Sequence, residues 1–278
     1  MSNMIYEQQA EGGSAESLTT IGSGEEGRWY MERYGRQFHV MDALWPYPHD
    51  DDEMERQVLQ HDLLRKVVGH NFVGPVPIIL ANTPQRPVKR VLDVGSGTGR
   101  WLVFFSASPV ALSELTYKDR VQQMAEMFPH EYQTTTASGR NLAAEAPAFF
   151  QWFETIRIFI RTRLGLDMNT PQRLPQILHE KGFRSINTRA HTIPIGPWAA
   201  DPVGKQLGEM NCHVWLEFLN TTRPMLMEVR KNEQQVDRLI AGVRTLLEEL
   251  PQGVRLLSRY HTIWALRGQS RLVNEKEL

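Results

Sequence analysis

The stretch "VKRVLDVGSGTGRW", residues 88–101, decides how the rest of the chain is read. Its first half, "VKRVLDVG", is a β-branched, mostly apolar run bounded by turn residues, the pattern of a buried parallel strand. Its second half turns sharply before a helix-like piece. There Gly95 and Gly97 permit positive φ and close approach of a ligand, and N–H groups at the helix start suit an oxygen-rich group. Dinucleotide sites space their glycines G-x-G-x-x-G; here Gly95, Gly97 and Gly99 stand as G-x-G-x-G, with Asp93 two residues before the first. That difference favours an adenosyl cofactor over NAD. An ordinary glycine-rich loop is the competing reading, outweighed by strand, acid and helix occurring together. A second acid is expected at the end of the second strand to accept ribose hydroxyls. Glu114 closes "VALSEL" and is preferred for its place; Asp119 has the usual separation but stands inside a helical stretch. A surface acid at a turn is the bland reading of Glu114.

Composition narrows the class of protein. A chain of 278 residues with 41% hydrophobic content is long enough for one sizeable α/β domain with a helical addition, or for two small domains. The 31 basic and 32 acidic residues leave no net field to draw the chain onto nucleic acid or an anionic membrane. Direct nucleic-acid binding is therefore not expected. Cys212 is the only cysteine, so an intramolecular disulfide and a multi-cysteine metal site are both excluded, and a reducing compartment is implied. It reads as a small buried apolar residue before it reads as a nucleophile. No apolar run is long enough for a transmembrane helix, and the opening "MSNMIYEQQAEGGSAESLTTIGSGEEG" lacks the apolar core of a secretory signal. The expectation is a soluble protein of the cytoplasm, with the nucleus open, whose residues 1–26 form a flexible tail.

Residues 27–48, "GRWYMERYGRQFHVMDALWPYP", are dense in aromatics and arginine. Trp29, Tyr30, Tyr34, Phe38, Trp45 and Tyr47 would roof a flat aromatic substrate or simply pack an N-terminal cap. Next, "HDDDEMERQVLQHDLLRKVVG" places Met54, Val58, Leu59, Leu63, Val67 and Val68 at helical spacing, stopped by Gly69. The acids Asp50 to Glu53 read as a solvated cap on the positive end of the helix dipole; a metal site is the weaker alternative. A proline-spaced connector leads to residue 88. Beyond the glycines, "YKDRVQQMAEMF" has a helical face of Val121, Met124, Ala125 and Phe128, and "PHEYQTTTASGRN" carries little signal. The C-terminal half is clearer. "FFQWFETIRIFIRTRLGL" sets Phe149, Trp152, Phe153, Ile156 and Ile160 for a helix, and "LPQILHEKGF" ends on Gly182, placed as a C-cap. "RSINTRAHTIPI" and "VRLLSRYHTIWALRG" alternate as strands around helical stretches at about 203–230 and 233–250.

These residues resemble a family. "VLDVGSGTGRW" is similar to the first motif of class I S-adenosylmethionine-dependent methyltransferases, and the flanks are similar to the fungal LaeA-like branch. "EGRWYMERYG" and "DEMERQVLQHDLL" look like its N-terminal region, and "LPQILHEKGFRSINTRAHTIPIGPWAADPVGKQLGEM" looks like its C-terminal region with the "PIGPW" turn. The resemblance implies a Rossmann-like sheet of seven strands with helices on both faces and an N-terminal helical cap. It puts the last two strands, at 184–195 and 254–267, in an antiparallel pair at one edge. It also implies S-adenosyl-L-methionine as cofactor, lined by Asp93, Gly95, Gly97 and Gly99, with Ser96 and Thr98 around the methionine part and Glu114 at the ribose. The organisation expected is a tail over 1–26, a cap and connector over 27–87, a methyltransferase-like domain over 88–268 and a tail over 269–278.

The chain departs from that family in one interval. Residues 102–146 are too few for the second to fifth strands, and neither an "FD-x-V" strand nor a Pro-Gly-Gly turn stands there. The central strands are missing or unrecognisable. If active, the protein would hold a nucleophilic O, N or C of a small molecule in line with the sulfonium methyl, with positioning as the main source of rate. A base would free the nucleophile. His61, His70, His191 and His213 are available, but none is assigned as catalytic. The expected function is a small-molecule methyltransferase of fungal secondary metabolism; the alternatives are a non-methylating pathway helper and a regulator acting through protein partners.

Overall fold

The computed structural model describes residues 29–40, 46–81, 133–134, 142–168, 170–230, 232–251 and 253–267. The chain divides into two compact units, residues 1–50 and residues 51–278. Among the described residues the architecture is mixed α/β, with eight helices and two small antiparallel sheets.

The first unit contains a hairpin of β1 (Tyr30–Arg33) and β2 (Arg36–His39). Tyr34 at φ 54° and Gly35 at φ 71° fill a two-residue turn with positive φ at both positions, the twist that matches right-handed strands. The register follows, with Tyr30 opposite His39 and Arg33 opposite Arg36. Like charges facing one another are unfavourable. Here Arg36 turns to Asp50, while the Arg33 guanidinium lies over the rings of Tyr34 and Phe38.

The second unit is built on β4 (Phe183–Ile195) and β5 (Leu256–Arg267), antiparallel over nearly their full lengths, with the short β3 (Gln133–Thr134) on the far edge of β5. Its helices are α1 (Asp51–Val68), α2 (Val76–Leu80), α3 (Leu142–Glu145), α4 (Pro147–Leu164), α5 (Thr170–Glu180), α6 (Pro202–Thr221), α7 (Arg223–Arg230) and α8 (Glu233–Glu249). Alternation along the strands sends Ile193 and Tyr260 to one face, where they meet Leu63 and Leu64 of α1 and Val214 of α6. The opposite face carries Phe183, Ile263 and Ala265 against Leu178 of α5. The result is helix, sheet, helix. A further helical layer, α4 with α7 and α8, packs beside α6, and its aromatic centre is Phe149, Trp152, Trp215 and Phe218 in edge-on and tilted contacts.

Several elements expected from the sequence stand as read. The helix at 147–164 buries Phe149, Trp152, Phe153, Ile156 and Ile160, and Gly182 ends the next helix at φ 86° with its N–H on His179 O. Other features differ. The helical stretch expected over 203–230 breaks at Thr222 into α6 and α7, because Pro224 has no N–H to continue the first helix. Thr222 gains a role there: its hydroxyl accepts the Trp152 indole N–H at 2.9 Å and donates to Leu219 O. On α1 the buried side differs too, since Met54 is exposed while Glu53 and Arg56 are each 1% exposed.

That burial corrects the reading of Glu53 as part of a solvated cap. Arg56 donates Nε and Nη2 to the two Glu53 oxygens at 2.8 Å each, and Nη1 to Gln60 Oε1 at 2.6 Å. The Thr221 hydroxyl at the end of α6 donates to Glu53 Oε2 at 2.9 Å, and Phe218 lies under the guanidinium at 5.5 Å. A buried pair of this kind is tolerated only when its lone pairs and protons are matched. Removing one member strands the other. Glu53→Ala is expected to lower stability by about 3–5 kcal/mol, whereas Glu53→Leu combined with Arg56→Met recovers most of the loss, read from urea unfolding curves.

Candidate functional site

Asp93, Gly95, Ser96, Gly97, Thr98, Gly99 and Glu114, the residues expected to hold the cofactor, lie outside the described residues, as do Asp119, Trp45 and the helical face of Val121 to Phe128. The structure supplies the surroundings of the other candidates.

The four acids before and within the first turn of α1 separate. Asp50 accepts Arg36 Nε and Nη2 at 2.6 Å each, Glu53 is committed to Arg56 and Thr221, and Asp51 and Asp52 face solvent. No group of three or more metal-ligating side chains exists among the described residues.

The histidines fall into distinct environments. His191 is buried on β4, with Nε2 and Thr262 Oγ1 3.1 Å apart; the Thr262 hydroxyl donates weakly to Arg189 O at 3.5 Å. That arrangement leaves the Thr262 oxygen to accept a proton held on His191 Nε2, so the imidazole bridges the two strands. Burial, then Arg189 and His261, hold its pKa below the ordinary value. His261 on β5 is also lowered, by burial and by Arg259. His213 is exposed on α6, 3.7 Å from Glu217 one turn on. His61 and His70 belong to α1 and the turn after it. Of the four histidines read from the sequence, His191 stands on β4, His213 on α6, and His61 and His70 on or just after α1.

The polar link between α6 and the sheet is Asn211. Its Nδ2 donates to Pro194 O at 2.7 Å and to Ser258 Oγ at 2.8 Å, while Oδ1 is buried with no partner. Nearby, the "PIGPW" turn depends on two glycines. Gly196 has φ 95°, and a Cβ there would come within 1.9 Å of Leu250 Cδ1. A Cβ on Gly208 of α6 would reach 2.0 Å from Gly196 O, so the helix backbone can touch the turn only because Gly208 has no side chain. The Trp198 indole N–H then donates to Ile195 O and Leu256 O, closing the ends of both strands.

Five of the six aromatics expected as a roof or a cap lie among the described residues. Trp29 and Tyr34 are exposed, Tyr47 is buried, Phe38 lies under Arg33, and Tyr30 stacks on His49. The stack of Tyr30, His39 and His49 escaped the sequence reading. Its signal was the Tyr34-Gly35 pair, a hairpin turn that puts Tyr30 and His39 opposite one another.

No family model, curated protein or solved structure matches the chain.

Cys212 is half-buried, and its thiol lies 3.2 Å from Leu247 O, joining α6 to α8. Burial, with the Glu248 carboxylate nearby, pushes the thiol up to about 11. Since the thiolate is the reactive form, alkylation by iodoacetamide near neutral pH should run about a hundredfold slower in the folded chain than in urea, followed by mass spectrometry. Equal rates would place the sulfur in water.

Proposed function

We propose that the chain is an S-adenosyl-L-methionine-dependent methyltransferase of the LaeA-like kind, with a Rossmann-like sheet, acting on a small molecule of fungal secondary metabolism. The observation that carries this reading is "VLDVGSGTGRW" at residues 91–101, joined in one chain to "PIGPW" at residues 194–198. The antiparallel pairing of β4 with β5 and the helices on both of its faces support it, because they accord with the edge that such a sheet would have. In this reading Gly95, Gly97 and Gly99, with Ser96 and Thr98, offer backbone N–H groups to the methionine part of the cofactor. Asp93 stands beside them, and Glu114 takes the ribose hydroxyls. The bound cofactor supplies an activated methyl group; the chain's share is to hold an acceptor atom in line with it. An aromatic substrate, a place in the cytoplasm or nucleus and a protein partner belong to the same proposal.

A second reading rests on the shortened interval 102–146, which lacks the "FD-x-V" and Pro-Gly-Gly patterns. In it the chain does not methylate and serves as a pathway helper or a regulator through protein partners. Among the described residues no helix is long and apolar enough to cross a membrane, which leaves both readings standing.

Calorimetric titration with S-adenosylmethionine and its demethylated product separates them. Wild-type protein should bind both saturably, and Gly97→Trp should abolish binding while leaving the far-UV spectrum unchanged. Absence of binding at millimolar cofactor would contradict the proposal, and capture of a partner without cofactor would favour the second reading.

A further inference from the structure

The first unit contains a cluster that no part of the proposed methylation uses. Residues 46–50 run beside β2, where the His49 N–H donates to Gln37 O at 2.6 Å and the Gln37 N–H donates to Asp50 Oδ2 at 3.4 Å. Arg36 grips Asp50 with two N–H groups at 2.6 Å each, and the pair is largely buried. Beside this anchor three rings meet. Tyr30 and His49 are stacked with centroids 5.4 Å apart and planes 5° apart, and the His39 ring lies 4.3 Å from His49 and 5.0 Å from Tyr30.

Two neutral imidazoles pack at that separation without repulsion, their planes here tilted by 41°. Two imidazolium rings there would repel, since neither has a free counter-charge among the described groups that face it. Those groups are His39 of β2, Tyr30 of β1, and Asp50 of the same segment, whose carboxylate is already shared between Arg36 and the Gln37 N–H. Glu32 stands across the strands from Gln37. We infer that Tyr30, His39 and His49 form a proton-sensitive clasp, which adds to the Arg36–Asp50 anchor in holding residues 46–50 against the hairpin at neutral pH and loosens in mild acid.

Burial, then His39, lowers the pKa of His49, with Asp50 opposing. A histidine whose folded pKa lies below its unfolded value binds its proton more weakly in the closed state. The clasp is therefore fully stabilised above the unfolded value of about 6.5, and it weakens as pH falls through that value toward the lowered one. Histidine is the side chain suited to a change of this kind in that range. The hairpin is small enough for the change to matter, because an isolated two-stranded hairpin is marginal and this one gains a third segment through the Arg36–Asp50 anchor and the clasp together.

The test is a histidine ring titration by NMR on the full-length chain from about pH 8 to about pH 5, with amide exchange measured in parallel. The His49 ring should titrate below the ordinary histidine value. Protection of the His49 amide should fall with the same midpoint. His49→Phe keeps a stacked ring without a proton and should remove the transition. His39→Phe removes the opposing charge and should move the His49 midpoint back up, which reads the same coupling if the first variant folds poorly. Unchanged protection of the His49 amide over the whole range, or the same transition in His49→Phe, would overturn the inference. A transition confined to β4 and β5 amides would also overturn it, because His191 and His261 would then be its source.

Discussion

The buried Glu53 and Arg56 pair is the constraint on which the larger unit depends. Two charges removed from water are costly, and they persist here because each finds its complement: two parallel N–H···O bonds between them, Gln60 on one side, Thr221 on the other and the Phe218 ring beneath. Geometry of that quality exists only if the first turn of α1 meets the last turn of α6. The pair therefore fixes the register between the two helices, and Leu63, Leu64 and Val214 can close over Ile193 and Tyr260 only in that register. The same charge reaches the sheet, since Arg56 opposes the rise that burial imposes on the Tyr260 phenol.

A second constraint is backbone contact. Where α6 meets the "PIGPW" turn, Gly196 N–H donates to Gly208 O at 2.9 Å, a contact possible only without a side chain at Gly208. Asn211, one turn further along α6, ties the helix to Pro194 and Ser258. Polar groups at three successive levels of α6, at Gly208, Asn211 and Thr221, thus hold it to the turn, to the strands and to α1. Apolar packing alone would let the helix slide along the sheet; these directional bonds stop it.

How much of this was legible in the sequence follows from what each signal depends on. Periodicity is local, so α4 could be read from Phe149 to Ile160, and β4 and β5 from their alternation. The C-cap at Gly182 could be read because positive φ selects glycine. The burial of Glu53 could not be, because an acid at a helix start reads as a solvated cap until a distant Thr221 is brought to it by the fold. The break at Thr222 is hidden for a related reason: the apolar pattern runs on through it, although Pro224 has no N–H to continue the helix. The hairpin at Tyr34-Gly35 lacks the usual Asn-Gly or Asp-Gly turn, so its sequence shows only an aromatic cluster. For the candidate site, the sequence supplies the glycine turn, while the structure describes the C-terminal strands and helices and not that turn.

On these contacts α1, α6, β4 and β5 form one cooperative body held at the Glu53 and Arg56 pair. Amide hydrogen exchange of the full-length chain, followed residue by residue at neutral pH, tests it most directly. The slowest amides should be those of Leu63, Leu64, Val214, Ile193 and Tyr260, exchanging with one common opening free energy, with the hairpin amides of residues 30–39 opening separately and more readily. Fast exchange in α1 while β4 and β5 stay protected would contradict the account, because α1 would then be attached to the sheet without being part of its fold.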